Sequence, residues 1–302
     1  MSALTIVLAL FAALSNASAS VLQRRAATDE APGGSGIRQS ARWLGRVLRR
    51  PYWLAGAALL GLSTILQAAA LAVGSLSLVQ PLMASELLFT LAVGSVVFRS
   101  RPDWRTWLAF AALAVGLSLF LGAASPSEGR PTAEPRLWLL VGPAVLALVA
   151  VFTAASRLVR GAPRAGLLGL ASAVSFAGTA ALLKEVMGRL GQGVPAVLAS
   201  WPPYATLVVG VLSFLLLQSA FRAGSLTASQ PALTLGDALT SVVLGWVLFE
   251  EYIGLGVRVL PEAIGVALIG AGSVGLARAT AADGGWDSPP GDGSREGPGP
   301  AP

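Results

Sequence analysis

The stretch GSLSLVQPLMASE, Gly74 to Glu86, returns as GSLTASQPALTLGD, Gly224 to Asp237, each Gln-Pro phrase leading to one carboxylate. Gly74, Ser75, Leu76, Gln80 and Pro81 fall on Gly224, Ser225, Leu226, Gln230 and Pro231 at an offset of 150 residues. Glu86, Gly94 and Phe98 fall on Asp237, Gly245 and Phe249 at an offset of 151. Upstream, Leu66-Gln67 matches Leu217-Gln218 at 151, and Leu10, Ser15, Ala17 and Leu22 match Leu170, Ser175, Ala177 and Leu182 at 160. Similarity this extended marks one structural unit used twice.

The surroundings of the repeat say what kind of unit it is. The 302 residues are 54% hydrophobic and only 12% charged, with a mean hydropathy of +0.70. A hydrocarbon layer of about 30 Å takes about 20 apolar residues of helix to cross. Segments of that length recur near 2 to 22, 52 to 73, 76 to 98, 104 to 123, 137 to 158, 164 to 186, 203 to 222, 226 to 249 and 259 to 278. The expectation is an all-α polytopic membrane protein of about nine transmembrane helices. An outer-membrane barrel would show about ten-residue segments of alternating polarity, which are missing.

Helices 1 to 4 resemble helices 6 to 9, and a step of five crossings reverses the second copy in the bilayer. The chain then divides into a first membrane repeat over 1–123, with a basic cytoplasmic loop at 23–51, a connecting helix 5 with its loops over 124–163, a second repeat over 164–278, and a disordered tail over 279–302. The tail is Gly-, Pro- and Asp-rich with little to bury, and 28–40 reads as a mobile part of the first loop.

Basic residues set the expected orientation. With the N-terminus outside, sixteen of the 21 Lys and Arg fall in cytoplasmic loops, seven of them between Arg24 and Arg50. Arg130, Arg136, Lys184, Arg189 and Arg258 fall outside. The positive-inside rule therefore gives N-out and C-in, and it accounts for the net charge of +6 without nucleic acid. No basic residue precedes the first apolar run and Arg24-Arg25 follow it, the reverse of a signal peptide. Asn16-Ala17-Ser18 matches a glycosylation sequon, but inside a helix it reads as coincidence. The Arg- and Ala-rich, Lys-poor composition suggests a GC-rich bacterial genome and a plasma membrane.

The chain has no Cys and no His. That removes disulfides, thiolate nucleophiles, imidazole bases and thiolate zinc sites. No P-loop or Gly-x-Ser-x-Gly elbow occurs, and LGDA at Leu235 to Ala238 is only a fragment of an intramembrane aspartyl protease motif. No enzymatic activity and no cofactor are expected.

The candidate site is the pair of carboxylates. Glu86 and Asp237 fall near the middle of their helices, where an acid costs on the order of 2.5 kcal/mol or more unless water, a cation or a partner stands beside it. The expectation is that they face one another across a pseudo-twofold axis and bind substrate or ion, a metal included. Gln67 and Gln218 are intramembrane amides that either coordinate a ligand or join helices. Gln80-Pro81 and Gln230-Pro231 either break or gate their helices, exposing carbonyls to a cavity, or place each proline in a tolerant first turn. Small residues such as Gly56, Gly61, Ala68, Ala72, Gly265, Gly270, Gly272 and Gly275 would let helices pack and slide closely.

Five motifs carry a family resemblance over about residues 2 to 278: SNASASVLQRR from Ser15, LSLVQPL from Leu76, APRAG from Ala162, LQSAFRAGSLTASQP from Leu217 and VLFEE from Val247. In these the chain resembles the drug/metabolite transporter (DMT) superfamily, EamA-like, and within it the NIPA-type magnesium transporter branch. The resemblance implies a secondary transporter working by alternating access. Two readings of its cargo stay open: a divalent cation such as magnesium, which suits oxygen ligands, and proton-coupled export of a small organic metabolite or drug-like cation. A non-transporting membrane scaffold is the alternative of another class. Expected partners are the substrate, the lipid bilayer and a second copy in a homodimer.

Overall fold

The computed structural model describes residues 3–28, 50–97, 103–124, 129–223, 226–252 and 259–282. These form helices α1 (Ala3–Thr28), α2 (Pro51–Val73), α3 (Leu76–Met83), α4 (Glu86–Val97), α5 (Trp104–Ala124), α6 (Pro135–Ala155), α7 (Ala162–Gly188), α8 (Val194–Leu198), α9 (Pro202–Ala223), α10 (Leu226–Phe249) and α11 (Val259–Ala282), with no strand among the described residues. Most of the loop expected to be mobile, the expected disordered tail beyond Ala282, and the repeat residues Phe98, Gly224 and Ser225 lie outside the described residues.

Seven of the described helical spans are long and apolar enough to cross a membrane: α1, α2, α3 with α4, α6, α7, α9 and α10. The apolar stretches of α5 and α11 are shorter, Trp104–Phe120 and Ala263–Arg278. Val96, Leu139 and Leu207 are 79%, 75% and 68% exposed, surface that only lipid or another apolar partner can cover. The chain is a multi-pass membrane-embedded protein.

One expected helix is two. The segment from Leu76 does not run straight to residue 98: α3 stops at Met83, two residues after Pro81, and α4 starts at Glu86. Pro81 has no N–H to give the Ser77 carbonyl, and downstream of it the amides of Ala84 and Ser85 close tighter bonds on Pro81 and Leu82. In α10, by contrast, Pro231 sits inside an unbroken helix. Each proline is the sixth residue of its helix, beyond the first turn.

Small residues bring the helices close. Packing of α1 on α2 runs from Thr5, whose hydroxyl donates to the Val73 carbonyl, through Ser63, which donates to Ala12, to Gly56 against Ala19 and Gln23. That register is antiparallel. An antiparallel register also joins α7 to α9, where Ser172 donates to the Ser213 carbonyl and Gly210 packs on Thr179. Helix α7 lies parallel to α10, with Gly169 against Ser229 and Ala173 against Gly236. The pair α5 and α11 is also close: a Cβ on Gly272 would stand 2.6 Å from the Leu113 nitrogen, and one on Gly116 2.7 Å from the Ile269 nitrogen. Gly61, in contrast, faces open space, so its expected packing role is not realised within the chain.

Because the chain has no native cysteine, this register can be read cleanly. A Cβ on Gly275 would lie 2.6 Å from the Ala109 Cβ, closer than the about 3.5 to 4.5 Å of a disulfide, so the double variant Ala109→Cys/Gly275→Cys should cross-link under mild oxidation only in part, as the two helices part by about an ångström. Trp107→Cys, more than half exposed on α5, should not cross-link with Gly275→Cys. A reversed result on a non-reducing gel would refute the α5–α11 register.

Asp103 starts α5 as an N-cap, accepting the Thr106 amide at 2.8 Å and the Thr106 hydroxyl at 2.5 Å. These bonds hold its carboxyl below the usual Asp range. A depressed folded-state value means that the cap is at full strength above the ordinary Asp value and weakens as pH falls toward the folded one. The protection of amides 105–107 against hydrogen exchange, after correction for the intrinsic rate at each pH, should fall on acidification, and Asp103→Ala should remove that pH dependence.

Candidate functional site

Helix α10 stops at Phe249 because Glu250 adopts a left-handed conformation, φ 54°, which costs a residue with a Cβ about 1 to 2 kcal/mol. That reversal turns Glu251 back into the protein, its amide bonding the Gly245 carbonyl at 3.1 Å. Arg130 holds the turn from outside, with its amide on the Phe249 carbonyl at 2.6 Å and its guanidinium on Glu250 at 3.0 Å.

Glu251 is fully buried. Its carboxylate accepts the Leu76 amide at 2.7 Å, the Ser77 amide at 2.8 Å and the Ser77 hydroxyl at 2.5 Å, capping the N-terminus of α3, where the helix dipole favours an anion. It also forms an ion pair with Lys184 near the end of α7. The Lys184 ammonium donates to the Gly74 carbonyl at 3.3 Å and stands 4.8 Å from the centre of the Phe249 ring. Lys184, expected in an outer loop, is therefore inside the bundle, 2% exposed. Its neighbour Glu185 accepts the Ala133 amide at 2.8 Å and Trp138 Nε1 at 3.3 Å, and pairs with Arg189 at 2.8 Å.

These groups gather the end of α2, the start of α3, the start of α6, and the ends of α7 and α10 at one end of the bundle. A cavity of about 180 Å³, lined by Gly74, Gly129, Pro131, Lys184 and Gly188 among others, opens beside them. Sequence reasoning missed this cluster. Its signals were Lys184-Glu185 within an otherwise apolar helix and Glu250-Glu251 at a helix end.

The expected carboxylates lie deeper. Ser77 packs on Gly245, and Pro81 shares a crevice with Leu235, Ala238 and Leu239. From Ser77 to Ser85, and from Gly245 back to Asp237, the chain runs eight residues, about 12 Å of helix at about 1.5 Å per residue. This antiparallel run brings Ser85 and Glu86 to the level of Asp237. Glu86 is the first residue of α4, at the break, whereas Asp237 is mid-helix in α10.

The two acids have different environments. Glu86 Oε2 accepts the Asn16 amide of α1 at 2.7 Å, so the residue read as a chance sequon is the partner of a candidate acid. Asp237 Oδ1 is enclosed and has no hydrogen-bond partner among the described residues. No hydrogen bond joins the two carboxylates among the described residues, and neither described cavity is lined by them. At the offset of 160 residues that matches Leu10 with Leu170, Asn16 corresponds to Phe176, which cannot hydrogen-bond an acid.

Gln80 is buried and Gln230 Oε1 is enclosed without a partner. Gln67 and Gln218 are half-buried on α2 and α9, which share no substantial packing surface with each other. Among the described residues no group of three or more Asp and Glu could hold a metal ion. The pair Glu86 and Asp237 could at most bind a cation that keeps part of its water.

The chain is 30% identical to an uncharacterized protein of Corynebacterium glutamicum over 254 residues, covering 82% of this chain and 85% of that protein. It belongs to that protein's family. No family model and no solved structure matches the chain.

Proposed function

We propose that this protein is a secondary transporter of the DMT superfamily, moving a small solute by alternating access between two inverted copies of a four-helix unit. The copies are α1, α2, α3 with α4, and α5, then α7, α9, α10 and α11, giving nine crossings with α6 between them. Support comes from matched packing: α1 lies antiparallel to α2 and parallel to α4, as α7 lies antiparallel to α9 and parallel to α10, while α5 and α11 pair with each other. Helices α5 and α11 have 21 and 24 residues, about 32 and 36 Å, enough to span a bilayer.

The observation that carries the reading is the placement of Glu86 and Asp237 at one depth by the run of α3 along α10. A scaffold has no use for two acids there. Substrate sites of inverted-repeat transporters lie at the repeat interface near the midplane. In this arrangement the N-terminus is outside and the C-terminus inside a bacterial plasma membrane, and the Lys184–Glu251 cluster closes the outer end.

Reconstitution in proteoliposomes tests this. Magnesium flux and pH- or sodium-driven uptake of a panel of metabolites and organic cations would be followed, with transport expected for one class. No flux of any class by a well-folded preparation would favour the scaffold. Outside-only labelling of a cysteine at residue 40 would overturn the orientation.

A further inference from the structure

Resting on the transporter reading, we infer that Glu251 and Lys184 form the latch of an outer gate, and that the part they hold is α3, a short helix jointed at both ends.

The joints are in the backbone. Gly74 and Ser75 are both extended, φ −144° with ψ 174° and φ −80° with ψ 147°, and they separate α3 from α2. At its other end the break at Ala84 and Ser85 separates it from α4. Between the joints lie 8 residues, about 12 Å of rod. By chain order α3 belongs to the first copy, yet it packs along α10 of the second, whereas α4 shares no substantial packing surface with α10 and lies along α1. Such a rod is able to tilt without carrying α2 or α4 with it.

What holds the rod is at its outer tip. Glu251 accepts the Leu76 and Ser77 amides and the Ser77 hydroxyl, and Lys184 donates to the Gly74 carbonyl at the joint. The residues that hold belong to the second copy and the groups held belong to the first, so parting the copies at this end requires these bonds to break. Ser75 offers no side-chain cap in their place. An ion pair suits a contact that must also release. Dry, its separation strands the ammonium; wetted, each charge regains hydration that offsets the lost attraction. Lys184 lines the cavity of about 180 Å³, and a water needs about 10 to 15 Å³ of such space, so water has room to reach the ammonium. Arg130 braces the latch from outside through Glu250, at 3.0 Å between two half-exposed side chains. Release lets the tip of α3 leave α10 and uncovers Ser85, which is 4% exposed in the break beside Glu86.

Ser85→Cys, in a chain with no native cysteine, reports on the gate and needs no known substrate. Its rate of reaction with a membrane-impermeant methanethiosulfonate would be followed in oriented proteoliposomes from the side on which Arg130 lies and from the opposite side. Adding Lys184→Met should raise the rate from the Arg130 side at least about tenfold, as a buried ion pair loses one partner. It should lower the rate from the other side, as alternating access demands. Ala171→Cys, buried in α7, should stay unreactive in the same background. Unchanged reactivity, a rise from both sides together, or a rise at Ala171→Cys would each overturn the latch, since a pair that only stabilises the fold loosens it everywhere or not at all. Arg130→Ala removes surface pairs alone, which are worth little to stability. It should act in the same direction by a smaller factor, and it decides by itself if Lys184→Met does not fold. Flux of a solute by a protein whose Ser85→Cys reactivity ignores both variants would refute the latch and leave the transporter reading standing; a responding latch with no flux of any solute would do the reverse.

Discussion

Glu251→Ala should destabilise this protein by about 3 to 5 kcal/mol, the usual cost of removing one partner from a buried ion pair. The loss has two parts. Lys184 would be left 2% exposed, with only the Gly74 carbonyl at 3.3 Å and the face of Phe249 for its charge. The amides of Leu76 and Ser77 would lose their acceptor, and Ser75 provides no side-chain cap in its place. Lys184→Met alone should cost less, because those amides still solvate the Glu251 carboxylate. The double variant Lys184→Met/Glu251→Leu should recover the part of the loss that comes from the stranded Lys184 charge, though not the part from the Leu76 and Ser77 amides. Unfolding of all four proteins in mixed micelles gives the coupling energy. A double variant as unstable as the sum of the singles would show that the pair itself contributes nothing.

The second large effect falls on function. Asp237→Asn keeps the size and shape of a side chain whose Oδ1 makes no hydrogen bond, so the fold has little to lose. Transport should fall by at least about 100-fold, the result of withdrawing about 3 kcal/mol of ion binding at about 1.4 kcal/mol per decade. Glu86→Gln should also impair transport, though less, since Asn16 can still hydrogen-bond the amide oxygen. Asn16→Phe, which removes the hydrogen bond to Glu86, shows whether that contact matters for transport. Initial rates in proteoliposomes, normalised to folded protein, measure all three. Wild-type rates in Asp237→Asn would make that acid structural.

Local pattern determined a good deal. The apolar segments give the helices to within a few residues because each must bury or face lipid along its whole length, and Gln80-Pro81 and Gln230-Pro231 mark equivalent points in α3 and α10. Depth in an apolar run was enough to single out Glu86 and Asp237, since an acid there has no cheap place to be. Partnership was decided only by tertiary structure. Glu251 lies beyond the last apolar residue of α10, and only the left-handed turn at Glu250 carries it under Ser77, 174 residues away in sequence. Asn16 looks like an accident until α1 packs along α4. Hydrophobic periodicity records which way a side chain faces, but the atom that it meets depends on how two distant helices are registered. In this protein that register pairs Glu86 with Asn16 and leaves Asp237 Oδ1 without a partner among the described residues.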